Sequence, residues 1–224
     1  MHQKLQAIND HLPIKSGVVY VVDDDDAVRD SLALLLNANG FSVSCHESAE
    51  RFLHALKSAD QQSNSCALLD IHLGGMSGLD LQDTLLTMNL YIPVAFITGH
   101  GEITSAVNAL KKGALDFIQK PIKEDLLCAL VGAMLSKAHL DKEQRIELDQ
   151  INEKFKLLTS REVQILERIV AGRINKQIGA DLDLSVKTVE AHRANIMNKL
   201  EVNRPAQLLQ IALKHQEAKA QRLI

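Results

Sequence analysis

Three carboxylates, one hydroxyl and one ammonium in this chain could do chemistry together: Asp23, Asp24, Asp70, Thr98 and Lys120. A carboxylate can act as a nucleophile and form an aspartyl phosphate. Crowded carboxylates repel, and hard oxygen donors suit Mg²⁺, which keeps several waters and also takes phosphate oxygens. An ammonium neutralises charge developing on a transferred phosphoryl group, and a threonine hydroxyl donates to a phosphate oxygen. Taken singly, each residue has a plainer explanation. Asp23 to Asp26 read as a solvated helix N-terminus, an Asp after a strand as a turn residue, and Lys120-Pro121 as a loop. Their joint placement decides between the two.

That placement follows from the surrounding elements. Val18-Val19-Tyr20-Val21-Val22 predicts a buried strand, and 26–39 predicts a helix, with Val28, Leu32, Leu35 and Leu36 at helical spacing and Asn39-Gly40 as its stop. Further strands are expected at 41–45, 66–70, 93–97 and 115–119, and further helices at 48–57, 79–88, 103–111 and 124–140. Five strands alternating strictly with five helices predict an α/β fold, a doubly wound five-stranded parallel sheet. Sites in such sheets form beyond the carboxyl ends of the strands. Asp23 and Asp24 follow the first strand, Asp70 ends the third, Thr98 follows the fourth and Lys120 the fifth. Chance does not readily put these groups at four strand ends of one sheet.

From residue 157 onward no strand signal remains. Four helices are expected there, at 159–171, 174–182, 185–200 and 206–214, making an all-α region. Thr159 with Glu162 three residues on is a capping-box signature. Ile178, Leu182 and Leu184, then Val186, Val189, Ile196, Met197 and Leu200, fit two helices joined through Asp183-Leu184, with Ser185 as an N-cap: a helix-turn-helix. Its second helix fits the major groove, about 12 Å wide. Lys187, Thr188, Glu190, Ala191, Arg193 and Ala194 are then the outward, DNA-facing candidates. Lys187 and Arg193 reach phosphates or guanine, Glu190 accepts from cytosine, and Arg173 and Lys176 are further phosphate candidates. Taken alone, a short helical region with scattered basic residues is more often a packing module than a DNA binder.

Charge supports a division of labour. Residues 17–137 hold 8 Lys/Arg against 15 Asp/Glu, whereas 157–214 hold 9 against 6. Residues 141–156 are dense in charge, with Ile146, Leu148, Ile151 and Phe155 as apolar positions; they read as a helical linker, or alternatively as a short dimerising helix. Cys45, Cys66 and Cys128 are odd in number and lack a CxxC spacing, so they read as small buried hydrophobes in a reducing compartment. No secretory h-region and no long apolar run is present, so the expectation is a cytoplasmic protein with no membrane partner.

Residues 17–137 resemble the receiver domain of bacterial two-component response regulators. The resemblance is carried by Val22-Asp23-Asp24, by Asp70 followed by Met76-Ser77-Gly78, by Ile97-Thr98-Gly99-His100, and by Asp116-Phe117-Ile118-Gln119-Lys120-Pro121. It implies a flavodoxin-like fold, with Asp70 accepting phosphate from the histidine of a sensor kinase. It implies Mg²⁺ held by Asp24, Asp70 and the His72 carbonyl, with Asp23 acting directly or through water. Thr98 and Phe117 would be the pair that rearranges on phosphorylation; without the resemblance, Phe117 reads as core. Leu158-Thr159-x-Arg161-Glu162, Gly172-x-x-Asn175-Lys176-x-Ile178 and Lys187-Thr188-Val189-Glu190-x-His192-Arg193-x-x-Ile196-x-x-Lys199-Leu200 resemble the LuxR-type output domain. Together they make the chain similar to the FixJ branch of the NarL/FixJ regulators: receiver 17–137, helical linker 138–156, DNA-binding domain 157–216, and not an enzyme. Val189 and Ile196 are expected in the core, and His192 in packing rather than on a base.

One position departs from the family. The fourth residue after Asp70, usually proline, is Gly74, followed by Gly75. Two glycines soften the loop, so weaker Mg²⁺ binding than in a Gly74→Pro variant is expected. His72 and His100 each lie two residues past a pocket residue. They read as exposed loop histidines, or as groups that tune the lifetime of the aspartyl phosphate.

The expected mechanism is a two-state switch. Phosphate on Asp70 draws Thr98, Phe117 turns into the vacated space, and the repacked face dimerises or releases the DNA-binding half. Expected partners are the kinase, double-stranded DNA bound as a homodimer on paired half-sites, and RNA polymerase. Three rivals remain at this stage: an Asp-nucleophile phosphatase, against which stands the lack of an inserted cap; a phosphate-independent, ligand-sensing DNA binder; and an adaptor with an inactive output half.

Overall fold

The computed structural model describes residues 16–58, 64–99 and 103–220. The chain forms two compact units, one up to Lys142 and one from Glu143.

In the first unit the strands are β1 (Val18–Val22), β2 (Ser42–His46), β3 (Ser65–Leu69), β4 (Val94–Thr98) and β5 (Asp116–Gln119). Helices α1 (Asp26–Ala38), α2 (Ala49–Ser58), α3 (Gly78–Thr87) and α4 (Ile103–Lys111) alternate with them, and α5 begins at Glu124. The five strands form one sheet in the order β2-β1-β3-β4-β5, every pair parallel. This is the α/β architecture expected.

Side-chain alternation along the strands builds two cores. Val19 and Val21, Cys66 and Leu68, and Ala95 and Ile97 face one side, where Leu36 and the α5 residues Leu127, Val131 and Leu135 cover them. Tyr20 and Val22, Ala67 and Leu69, and Phe96 face the other, against Phe52, Leu81 and Leu85. A sheet covered on both faces must be apolar at consecutive positions, which explains the uninterrupted run at β1. The strand order reverses at β1, so the ends of β1 and β3 open the crevice where such folds place their sites.

Helix α5 runs unbroken from Glu124 to Lys156. The sequence reading divides this stretch near residue 140 into a last helix and a linker, but no proline or glycine interrupts it between Ala133 and Lys156, so the backbone has no reason to stop. In the second unit follow α6 (Ser160–Val170), α7 (Asn175–Leu182), α8 (Val186–Lys199) and α9 (Pro205–Ala220). The last helix extends past the expected end at residue 214. Ile165, Ile169, Ile178, Val189, Ile196, Leu200 and Leu208 form the core, with Phe155 from the end of α5 packed against it. Phe155 also stacks on His215 of α9 at 3.7 Å. Thr159 caps α6 through the full capping box with Glu162.

Cysteine needs one correction. Cys66 is buried and its thiol is pushed up to about 12 by desolvation, and Cys128 is half-buried. Cys45, also expected to be buried, is exposed because β2 is the sheet's edge.

Candidate phosphoacceptor pocket and nucleic-acid interface

The strand ends assemble a compact polar group. Asp23, just beyond β1, is 3% exposed. Its Oδ1 accepts the Asp25 amide at 3.0 Å, and its Oδ2 accepts the Lys120 ammonium at 2.6 Å. Asp70, just beyond β3, is 7% exposed. Its Oδ2 accepts the His72 amide at 2.9 Å, and its Oδ1 faces Lys120 Nζ at 3.3 Å. The Lys120 amide donates to the Thr98 carbonyl at 2.8 Å, which holds the end of β5 beside the end of β4. Thr98 is buried at the last position of β4. Phe117, half-buried on β5, pairs with Phe96 across the sheet, the ring centroids 6.4 Å apart.

Burial raises the Asp70 carboxyl above the ordinary range; Lys120 opposes this, and the nearby Asp23 charge adds to it. Burial works to lower Lys120, but the hydrogen bond from its ammonium to Asp23 and the charges of Asp23 and Asp70 outweigh it, so the ammonium is held more firmly protonated than usual. The pocket therefore holds a desolvated carboxylate beside a fixed cation.

The structure brings the side chains of Asp23, Asp70 and Lys120 together, with the Thr98 backbone joined to that of Lys120 beside them. Asp24 is exposed, its Oδ2 lying 4.0 Å from the point where a Cβ on Gly74 would sit. Among the described residues no group of three or more His, Cys, Asp and Glu side chains is set to hold a metal. Lys120 bridges Asp23 and Asp70 and relieves part of their repulsion. The donor set still suits a hard divalent cation: three carboxylates against one ammonium leave net negative charge on oxygen ligands at one sheet edge. His100 lies outside the described residues, as do residues 1–15.

Two residues of this pocket escape sequence reasoning. Arg29, on α1, donates to the Asp23 carbonyl at 2.6 Å and pairs with Asp26. An arginine on a helix face carries no signal of that contact. Gly78, visible in the sequence only as part of a motif, passes so close to the Asp70 backbone that a Cβ would lie 2.0 Å from its carbonyl oxygen.

In the second unit α7 and α8 form a helix-turn-helix. Asp183 closes α7 in the left-handed conformation, φ 55°, and the Leu184 amide returns to the Gly179 carbonyl at 2.8 Å. Gly179 is the close-approach point, since a Cβ there would stand 2.6 Å from the Leu184 carbonyl oxygen; the sequence reading missed it. Ser185 caps α8 by accepting the Thr188 amide at 3.0 Å, and its hydroxyl also bonds that of Thr188 at 2.7 Å. Val189 and Ile196 are fully buried. The opposite face of α8 exposes Lys187, Glu190, Ala191 and Ala194, with Thr188, His192 and Arg193 half-buried, and Arg173 and Lys176 are exposed near the start of α7. Buried Glu162 accepts the Lys199 ammonium at 2.8 Å, tying the foot of α8 to the cap of α6.

Comparison with known proteins settles the family. Residues 19–132 match the response regulator receiver domain, and residues 156–212 match the bacterial regulatory proteins of the luxR family. The response regulator protein TodT of Pseudomonas putida is 37% identical over 201 residues, 90% of this chain and 87% of that protein. The chain belongs to the NarL/FixJ family of response regulators.

The transcriptional regulatory protein FixJ of Bradyrhizobium diazoefficiens is 35% identical over 198 residues, 88% of this chain and 95% of that protein. The solved structure of the response regulator StyR superposes with a TM-score of 0.74 at 38% identity, covering 89% of this chain and 99% of that one. Full-length FixJ from B. japonicum superposes with a TM-score of 0.55 at 34% identity, covering 90% and 98%. This response regulator is thus a phosphorylation-responsive, DNA-binding transcription factor with a cognate kinase, and not an enzyme. Its receiver family uses Mg²⁺ for phosphorylation of the aspartate. Among the described residues no helix is long and apolar enough to cross a membrane.

Proposed function

We propose that Asp70 is the phosphoacceptor of this response regulator. The carrying observation is its carboxylate, buried at the sheet's switch point between the His72 amide and the Lys120 ammonium. The Asp70 carboxylate attacks phosphorus on the kinase's phosphohistidine; an O–P bond forms, the N–P bond breaks, and the electron pair returns to the imidazole. Lys120 stabilises the charge on the transferred oxygens, and Asp23 keeps that ammonium in place. Asp24, Asp70 and the His72 carbonyl would hold Mg²⁺, with Asp23 acting directly or through water; when bound, the ion would neutralise phosphoryl oxygens.

The Thr98 hydroxyl then bonds the phosphoryl oxygen, and Phe117 turns into the space left on β5. Its ring is half-buried beside Phe96 rather than locked in the core, and this supports a two-state switch. The switched state forms a homodimer on paired DNA half-sites and works with RNA polymerase. Lys187, Thr188, Glu190, Ala191, Arg193 and Ala194 face the DNA, and Arg173 and Lys176 hold phosphates; the outward side of α8 supports this.

The test compares genome-wide DNA binding of wild type and Asp70→Asn, with oligomer size and DNA affinity measured with and without acetyl phosphate. The expected result is acetyl-phosphate-dependent dimerisation and tighter DNA binding in wild type only. Equal size and affinity under both conditions refute the reading.

A further inference from the structure

The loop between β3 and α3 carries His72 to Asp70, yet it contains Gly74 and Gly75. Several of its hydrogen bonds are local: the His72 amide to Asp70 Oδ2 at 2.9 Å, the Gly75 amide to the Leu73 carbonyl at 2.8 Å, and the Gly78 amide to the Ile71 carbonyl at 3.0 Å. One reaches across the fold. The Met76 amide donates to Oε1 of Glu50, in the first turn of α2, at 3.2 Å.

Gly75 makes room for this contact. It does not adopt the left-handed backbone that would by itself require glycine. A Cβ at Gly75, however, would stand 3.1 Å from Glu50 Oε1, tighter than an ordinary contact. The Glu50 carboxylate is in turn steadied by its own backbone amide and by Ser48; these bonds and the one from Met76 hold it below the usual carboxylate range. A glycine pair cannot stiffen a loop through its own backbone, so an anchor outside the loop matters more here.

We propose that Glu50 is a positioning residue for phosphoryl transfer: by accepting the Met76 amide, its carboxylate holds the loop that sets the His72 backbone against Asp70. The proposal rests on Asp70 being the phosphoacceptor. Glu50 touches neither the phosphoryl donor nor the reacting carboxylate. It restricts the loop so that His72 meets Asp70 in one arrangement, and partners of this outer kind typically matter about tenfold or more.

The full chain is tested in two ways. Amide exchange without metal reads the tether directly: Glu50→Ala speeds exchange at Met76 about tenfold, whereas Glu50→Gln, which keeps an acceptor oxygen, stays within about twofold of wild type. Phosphorylation by acetyl phosphate with Mg²⁺ reads its consequence: Glu50→Ala is about tenfold slower and Glu50→Gln is near wild type. Gly75→Ala, which makes the carboxylate give by a few tenths of an ångström, shifts Met76 exchange in the same direction as Glu50→Ala but less. Because Glu50 is exposed, melting temperatures stay unchanged. Wild-type exchange and rate in Glu50→Ala, or a Glu50→Gln variant as impaired as the alanine, overturn the proposal. Failure of the wild type to be phosphorylated overturns the reading of Asp70 instead, and the exchange data then decide the tether alone.

Discussion

Gly78→Ala adds one methyl group at the tightest point of the receiver. Gly78 opens α3, and its amide donates to the Ile71 carbonyl at 3.0 Å. The new Cβ would lie 2.0 Å from the Asp70 carbonyl oxygen, 3.0 Å from its carbonyl carbon and 3.2 Å from the Phe96 ring. Comfortable non-bonded contact begins at about 3.5 Å, so the start of α3 and the end of β3 must part by more than about 1 Å. Both are backbone, and fully buried Phe96 blocks the other direction. Overpacking of this kind costs about 1–3 kcal/mol, and each kcal/mol lowers the melting temperature of a domain this size by roughly 2–8 °C. The displaced group is the Asp70 backbone, so the carboxylate moves relative to Lys120. A misplacement of about 1 Å at a reacting group costs on the order of 10²-fold in rate. Thermal melting by circular dichroism and acetyl phosphate labelling of Asp70 report the two effects. A variant that melts and labels like wild type would falsify the idea that this glycine sets the position of Asp70, the proposed phosphoacceptor.

Asp70→Asn should melt a few degrees higher than wild type at pH 7 without metal. Burial raises the Asp70 carboxyl, so its favourable contribution is present below the unfolded value and is lost as pH rises through the folded one; the advantage of asparagine should therefore shrink toward acid, and a gain independent of pH contradicts this origin. Lys120→Met leaves Asp23 and Asp70 buried without their shared cation and should cost about 3 kcal/mol in urea unfolding at pH 7; adding Asp70→Asn should recover part of it, and strictly additive losses count against a shared pair. Gly179→Ala, whose Cβ would meet the Leu184 carbonyl oxygen at 2.6 Å, should destabilise the second unit by about 1–3 kcal/mol and weaken DNA binding, while acetyl phosphate labelling of Asp70 stays at the wild-type rate.

Much of this regulator was legible because its chemistry is tied to periodicity. Apolar runs and helical spacing located the five strands, and once they were parallel in one sheet their carboxyl ends had to meet along one edge. Asp23, Asp70, Thr98 and Lys120 were identifiable for that reason, as was α8, whose buried Val189 and Ile196 leave Lys187 and Glu190 outward. Distances between strand ends are not in the sequence. The sequence placed three carboxylates and a lysine at strand ends; only the folded chain shows that Lys120 reaches both Asp23 and Asp70 while Asp24 is exposed. Gly78 and Gly179 follow the same logic, because a close approach of two backbones depends on packing between elements. The Gly74-Gly75 pair is the plainest example. Local sequence, with two adjacent glycines, predicts a slack loop. The partner that holds the loop, Glu50, lies 26 residues from Met76, and nothing in the spacing of either residue announces the other. Local patterning determined which elements form and which side chains sit at their ends; tertiary packing alone decided which of those ends touch, because contact depends on where separate elements come to rest.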